Sequence, residues 1–200
     1  NPEVDYSKTG KAELVYPGPL GGHNWNPVSW NPGTGLLYFS ELQMPSVYKT
    51  DNAVGFKENG RRYNMALDMA GMMDNPAFLA ELRSPRGSLI AWDVANAKIA
   101  WQVPQPMPTN GGTLSTAGNL VFHGTADGRL VAYAADSGKQ LWEGHTFGGV
   151  QAGPVSYAVD GRQYVAAGIG WGGGHGAAMP DGGKLAGLTN PSRIAVYTLD

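Results

Sequence analysis

The amino-acid sequence predicts an all-β fold, and more narrowly a β-propeller. One pattern starts at Gly87 and again at Gly128, 41 positions later: an aliphatic strand, a polar turn and a second strand that ends in Trp. A weaker copy runs from Trp30 to Phe39. The 30 Gly and 14 Pro residues favour short strands joined by tight turns. A strand repeat of about 40 residues is typical of propeller blades.

Each copy of the repeat has the pattern of a β-hairpin with a large apolar anchor. Because one hairpin cannot bury its own apolar face, we expect Trp101 and Trp142 to fill the gaps between neighbouring sheets. The alternative is a β-sandwich in which two hairpins resemble each other by chance. The weaker third copy favours the propeller.

Several other segments have strand or turn patterns. Asp160 and Gly161 form a two-residue hairpin signal, and we expect the last strand to complete a blade begun elsewhere in the chain. Further strands are predicted at residues 12–16, 28–30, 36–40, 119–124, 155–159, 163–167 and 193–197.

Residues 41–86 interrupt the repeat, and we expect them to form an insertion across one rim of the propeller. Within it, Asn75 and Pro76 precede an apolar spacing that ends at Leu82. A capping residue followed by Pro in the first turn predicts a short helix there.

Composition limits the function and the completeness of the chain. The 14 basic and 16 acidic residues give a net charge of −2 without charged runs, so neither a nucleic-acid partner nor an anionic membrane surface is expected. The absence of Cys excludes disulfides, thiolate metal sites and c-type haem attachment within these residues. No stretch is long enough to span a bilayer. Because Asn1 is neither an initiator Met nor the start of a signal peptide, we expect residues 1–200 to be the C-terminal part of one longer propeller domain.

Glycine-rich loops that carry Asn or Trp recur at residues 21–25, 109–113 and 170–174. Loops of successive blades can present backbone and amide groups to one shared ligand on the propeller axis, and a flat, multiply oxygenated ligand suits this lining. The structural alternatives stay open: His23 as a hydrogen-bonded or capping residue, Asn24 as a turn residue and Trp25 as a blade-packing residue.

These loops and the adjoining strands closely resemble the pyrroloquinoline quinone (PQQ)-dependent alcohol dehydrogenases. The resemblance extends from about Gly21 to Tyr197. Its most specific part is the Asn-Gly-Gly-Thr-Leu-Ser-Thr-Ala-Gly run that begins at Asn110. The other segments that carry it are residues 22–32, 124–129 and 164–174.

The resemblance implies the C-terminal blades of an eight-bladed quinoprotein propeller, with PQQ on the axis beside a calcium ion. It implies periplasmic oxidation of primary or secondary alcohols, in which a carboxylate removes the hydroxyl proton and a cation polarises the quinone, with a cytochrome as electron acceptor. By matching positions, Asn24 and Trp25 contact the rim of the cofactor. Asn110 and Gly174 correspond to further positions of the cofactor lining.

The sequence also departs from the family pattern. No position corresponds to the catalytic aspartate or to the calcium ligands, which the family carries on upstream blades, so no catalytic or metal-binding residue is assigned and the segment alone is expected to be inactive. Whether the parent protein carries a haem c domain stays open. One alternative is a non-enzymatic propeller scaffold for protein binding, against which the loop at residues 22–25 argues. Another is a quinoprotein dehydrogenase for sugars or polymeric alcohols.

Overall fold

The structure, a computed structural model, describes residue 8 and residues 10–49, 75–81, 87–170 and 192–198. The chain divides into two compact units, a smaller one from residues 1–22 and 43–84 and a larger one from residues 23–42 and 85–200. Strands dominate the described residues, which confirms the all-β prediction. That residues 1–200 form one propeller domain stays a prediction, and most of the predicted insertion at 41–86 lies outside the described residues.

The described elements follow one another in this order: β1 Glu13–Val15, β2 Ser29–Asn31, β3 Leu36–Leu42, β4 Ser46–Tyr48, α1 Pro76–Glu81, β5 Gly87–Asp93, β6 Lys98–Gln105, β7 Thr113–Ser115, β8 Leu120–Thr125, β9 Arg129–Ala134, β10 Gln140–His145, β11 Val155–Val159, β12 Arg162–Ile169 and β13 Arg193–Thr198. The predicted short helix is therefore confirmed as α1, and each predicted strand corresponds to one of these elements within a few residues.

The smaller unit contains β1, β4 and α1. Strands β1 and β4 pair antiparallel, with Glu13 opposite Tyr48. Asn75 caps α1, because its side-chain oxygen accepts the backbone N–H groups of Ala77 at 3.0 Å and Phe78 at 3.1 Å. Pro76 occupies the first helical position, where its missing N–H costs no intrahelical hydrogen bond.

The larger unit consists of three antiparallel sheets in its described part. The first has the strand order β2-β3-β5-β6, the second β10-β9-β8-β7 and the third β11-β12-β13. The earliest strand of each sheet, β2, β7 or β11, lies at a sheet edge. The loops that precede these three strands are therefore in comparable positions, which decides where the candidate site forms.

Apolar residues on alternate positions of the strands pack the sheets face to face. The β3 residues Leu36 and Tyr38 lie in a cluster with Val121 and Val131 of the second sheet, and Trp101 and Val103 pack against that cluster. A separate cluster joins Leu130 of the second sheet to the third sheet. Full burial of each such side chain stabilises the fold by about 1.5 to 3 kcal/mol.

Trp101 joins the first sheet to the second, as its position in the repeat predicted. Its indole N–H donates to the carbonyl of Ala135 at 3.0 Å, and the Tyr38 hydroxyl donates to the same carbonyl at 2.8 Å. The ring lies against Gly138. Trp142 packs on Tyr197 of the third sheet with 5.1 Å between ring centroids, so both repeat Trp residues contact the next sheet.

Strand pairing shows how the weak copy of the repeat and the last strand fit into the sheets. The weak copy at Trp30 to Phe39 shares a sheet with the copy that begins at Gly87, because β3 pairs with β5 from Leu36 opposite Asp93 to Leu42 opposite Gly87. The last strand, β13, pairs with β12 over six positions and completes the sheet that β11 begins, which agrees with the expectation that it completes a blade begun elsewhere in the chain.

Gly138 should be far less tolerant of substitution than another glycine of similar backbone conformation. A Cβ at Gly138, where φ is +71°, would lie 2.7 Å from Cε3 of Trp101, whereas a Cβ at Gly161, where φ is +78°, meets no atom within 4 Å. We expect Gly138→Ala to lower the free energy of unfolding by about 2 to 4 kcal/mol and Gly161→Ala by about 1 kcal/mol. Equal losses in urea unfolding would contradict this packing.

Candidate functional site

Three loops meet in the larger unit, each placed before the edge strand of its sheet. Asn26, in the loop before β2, donates from its side chain to the carbonyl of Asn110 at 2.7 Å. The backbone N–H of Thr113 donates to Pro27 O at 2.9 Å. Gln151, in the loop before β11, donates to the carbonyl of Thr109 at 3.3 Å. The hydrogen bonds tie residues 23–28, 106–112 and 146–154 into one layer.

Pro27 of the first loop packs closely against both of the other loops. A Cβ at Gly112 would lie 2.6 Å from Cδ of Pro27, and one at Gly153 would lie 2.9 Å from its Cγ. A Cβ at Gly111 would lie 2.4 Å from the carbonyl oxygen of Val150. The sequence predicted that the glycine-rich loop at 109–113 presents its backbone to an axial ligand; in the structure, Gly111 and Gly112 allow the close approach of the other two loops.

A depression of about 300 Å³ opens beside Trp25. Trp25 is 62% exposed, and Gly168 and Gly170 contribute small residues to the rest of the lining. The full lining is Trp25, Gln151, Ala152, Gly168, Ile169, Gly170 and Ser192. An exposed indole beside a shallow surface of small residues can hold a flat ring by stacking and van der Waals contact.

The structure places the four predicted site residues differently. Asn24 and Trp25 are exposed, and the Asn24 side-chain oxygen accepts the backbone N–H of Trp25 at 2.9 Å. Asn110 is only 1% exposed, and its side chain donates to the carbonyl of Met107 at 2.8 Å and accepts the N–H of Ala126 at 3.1 Å. Gly174 lies outside the described residues. Trp25 lines the depression, Asn110 holds the loops together, and cofactor contact by any of the four stays a prediction.

Three of the lining residues, Gln151, Ala152 and Gly168, were not predicted from the sequence. Gln151 and Ala152 follow the Gly148-Gly149 pair in the loop before β11. Gly168 lies near the end of β12, close to Gly170 of the predicted loop at 170–174. Their position in the repeat could have identified Gln151 and Ala152. The loop at 148–154 precedes the first strand of its sheet, just as the loops that contain Asn24 and Asn110 precede theirs.

Two histidines near the site make hydrogen bonds to Ser40 of β3. Nδ1 of His23 lies 2.8 Å from the Ser40 carbonyl oxygen, and the His23 ring packs edge-on against Phe39. Nε2 of His123 lies 2.8 Å from Oγ of Ser40, which in turn lies 2.5 Å from the carbonyl oxygen of Gly111. The structural interpretation of His23 as a hydrogen-bonded residue is confirmed, without excluding a role in the site.

The environment of His123 favours its neutral form. The side chain is fully buried, and this desolvation lowers its pKa from 6.5 to about 4. The backbone of Gly111 raises the pKa, the nearby positive charge of Arg129 lowers it and Asp127 raises it, and these effects are smaller than that of burial. His123 is therefore uncharged at neutral pH.

The described residues contain neither a cluster of metal-ligating side chains nor a helix that could cross a membrane. Within those ranges, no three His, Asp or Glu side chains are grouped so that they could hold a metal ion. No described helix has both the length and the apolar character required to cross a lipid bilayer. The calcium ligands expected on upstream blades are not tested by these residues.

Known proteins resemble this chain along most of its length. The family described as PQQ: Glucose/ethanol/alcohol dehydrogenase, beta-propeller domain, matches residues 5–165. Quinohemoprotein alcohol dehydrogenase ADH IIB of Pseudomonas putida is 43% identical over 202 residues, covering 100% of this chain and 28% of that protein. The 1-butanol dehydrogenase (cytochrome c) of Thauera butanivorans is 42% identical over 180 residues, covering 88% of this chain and 25% of that protein.

The fold is also similar to that of solved structures. The quinohemoprotein alcohol dehydrogenase ADHIIG from Pseudomonas putida HK5 superposes with a TM-score of 0.87 at 43% identity, covering 97% of this chain and 29% of that one. The chain thus spans about a quarter to three tenths of the length of these relatives.

The buried His123 predicts a pH dependence of stability that its replacement removes. The folded pKa of about 4 lies below the ordinary 6.5, so from pH 6.5 down to about 4 the unfolded chain binds a proton that the folded chain does not. Stability attributable to neutral His123 is therefore complete above pH 6.5 and falls by roughly 3 kcal/mol as the pH approaches 4. We expect the difference in the free energy of unfolding between the His123→Gln variant and the unmodified protein to change by roughly 3 kcal/mol between pH 6.5 and pH 4. A difference that is constant with pH would contradict the burial of a neutral His123.

Proposed function

Because the chain belongs to the PQQ glucose/ethanol/alcohol dehydrogenase β-propeller family, we propose that it forms part of a PQQ-dependent alcohol dehydrogenase and lines the quinone site. Its three described sheets are blades of the propeller. The observation that carries the proposal is the depression between Trp25 of the loop before β2 and residues of the third sheet and its preceding loop. The loop before β7 does not line the depression, but it is hydrogen-bonded to both of the other loops. The proposed reaction is oxidation of primary or secondary alcohols to aldehydes or ketones.

The residues of the depression fit a planar, multiply oxygenated quinone. The exposed Trp25 indole offers a flat apolar surface, and Gly168 and Ala152 place no bulky side chain opposite it. The side chain of Gln151 is buried and donates to the carbonyl of Thr109, so it fixes the loop backbone beside the ring. The lining can therefore hold the quinone in one orientation by contact with the ring.

The chain contributes binding and orientation rather than proton transfer. When bound, the quinone supplies the two-electron acceptor for the alcohol. Among the described residues that line the depression there is no carboxylate or imidazole, so none of these residues is a candidate base for the alcohol hydroxyl. Trp25 would contact the quinone from one loop, and Ala152 and Gly168 would contact it from the third sheet and its preceding loop. A quinone ring that is already held in position has less orientational entropy to lose when the reaction reaches its transition state.

The remaining parts of the proposal follow from the family resemblance. We propose that a calcium ion lies beside the quinone with ligands from other blades, and that a cytochrome accepts the electrons. The relative from Thauera butanivorans is described as a 1-butanol dehydrogenase (cytochrome c), which supports the second part. The protein is placed in the periplasm. A haem c group belongs to the proposal only as a possible feature of the parent protein, since these residues contain no Cys.

The proposal is tested by adding PQQ and calcium chloride to the full-length protein that carries this chain. We expect quinone binding to quench Trp fluorescence, and ethanol or 1-butanol to reduce an electron-accepting dye. Neither should occur without PQQ. Binding without alcohol oxidation would point to the sugar or polymeric-alcohol alternative, and failure to bind PQQ would support the non-enzymatic scaffold.

Replacement of Trp25 should weaken quinone binding. Loss of stacking by Trp25→Ala is expected to raise the dissociation constant of PQQ roughly tenfold, with little change in stability because the side chain is 62% exposed. Phe147, 68% exposed and outside the lining, provides the matched control, and Phe147→Ala should leave affinity unchanged. Similar losses in both variants would show that Trp25 has no particular role.

Asn24→Ala should have a smaller effect that acts through Trp25. The variant lacks the side-chain oxygen that accepts the backbone N–H of Trp25, so the backbone at Trp25 is held less firmly. We expect roughly a threefold loss of PQQ affinity with the fold intact. Quinone content and turnover of the purified variant measure this effect. Normal quinone content together with an unchanged rate would remove Asn24 from the site.

A further inference from the structure

Ser40 connects the two loops that carry the predicted quinone contacts. It lies in the middle of β3, and its side chain is completely buried. Its carbonyl group contacts Nδ1 of His23, the residue just before Asn24 and Trp25. Its hydroxyl contacts the carbonyl of Gly111, the residue just after Asn110. One residue of one strand thus fixes both loops.

The chemistry of the partners determines the position of every proton in this cluster. The carbonyl of Ser40 only accepts, so His23 must carry its proton on Nδ1. The carbonyl of Gly111 also only accepts, so the single hydroxyl proton of Ser40 points to it across 2.5 Å. Oγ of Ser40 must then accept from His123, whose proton lies on Nε2. The two histidines are held as opposite tautomers.

This arrangement leaves Nδ1 of His123 as a buried acceptor without a hydrogen-bond partner in the described part of the chain. An apolar side chain would fill the same space without that cost. Retention of a buried imidazole is explained if its Nε2–H is needed to orient the Ser40 hydroxyl. A hydroxyl that would otherwise rotate is then fixed towards Gly111.

The orientation of Gly111 matters for the site because the next residue is Gly112, which packs against Pro27 in the Trp25 loop. A displacement of the Gly111 carbonyl would therefore be transmitted to both loops. We propose that Ser40, together with His23 and His123, positions the quinone-binding loops. These residues do not touch the depression, so they act through Trp25 and the loop backbones. The proposal rests on the proposed quinone site.

Four variants of the full-length protein separate positioning from general stability. Ser40→Ala removes the hydroxyl that links His123 to the Gly111 carbonyl. His123→Leu removes the N–H group that donates to Ser40, and His123→Gln keeps an N–H donor near the position of Nε2. Val121→Ala is the matched control. Val121 is fully buried on β8, the strand that carries His123, and it packs in the apolar core between the first and second sheets. Its side chain cannot form a hydrogen bond. The dissociation constant of PQQ, with calcium chloride present, and the melting temperature are measured for each.

Ser40→Ala and His123→Leu are each expected to weaken PQQ binding roughly tenfold, and the double variant should be little worse than either, since the two residues act as one unit. His123→Gln should retain affinity within about twofold. Val121→Ala should melt at lower temperature with unchanged affinity. Affinity that simply follows melting temperature across all variants would overturn the positioning role.

A measurement on the unmodified protein tests the cluster even if a variant fails to fold. Nitrogen-15 NMR of labelled histidine should show His23 protonated on Nδ1 and His123 on Nε2 at neutral pH. The reverse tautomer for His123 would overturn the proposal. If the parent protein does not bind PQQ, the proposed function fails; if it binds PQQ and Ser40→Ala binds equally well, only the positioning role fails.

Discussion

The close approach of three loop backbones around Pro27 is the constraint on which the candidate site depends. Gly112 and Gly153 lie so near this proline that a methyl group on either would overlap it. Each loop leads into the edge strand of a different sheet, so the packing of the sheets determines how the loops meet. The depression beside Trp25 is therefore positioned by the way the sheets and their loops pack together.

Apolar packing and polar contacts have different roles in this arrangement. The apolar clusters between the sheets supply stabilisation that depends little on direction. The buried hydrogen bonds of Ser40, His123 and Asn110 add direction, because a buried polar group must find its partner or lose the full free energy of desolvation. Trp101 combines both roles, since its ring packs on Gly138 while its N–H donates to Ala135.

Local patterns in the sequence predicted the strands, the hairpins and the cap of α1, because turn residues and alternating apolar residues act over a few positions. They also identified the exposed Trp25. They did not reveal that β3 pairs with β5 across the long insertion, nor that Asn110 is buried by bonds to Met107 and Ala126. Those outcomes depend on contacts between segments remote in sequence, which residue spacing alone does not specify.

The most direct test of this account is a crystal structure of the full-length protein loaded with PQQ. The account predicts electron density for the quinone in contact with the Trp25 indole, with Ala152 and Gly168 close to the ring and the Gly111 carbonyl still held by Ser40. Quinone density at another place, with the depression beside Trp25 empty or filled by protein side chains, would contradict the central claim that these loops line the cofactor site.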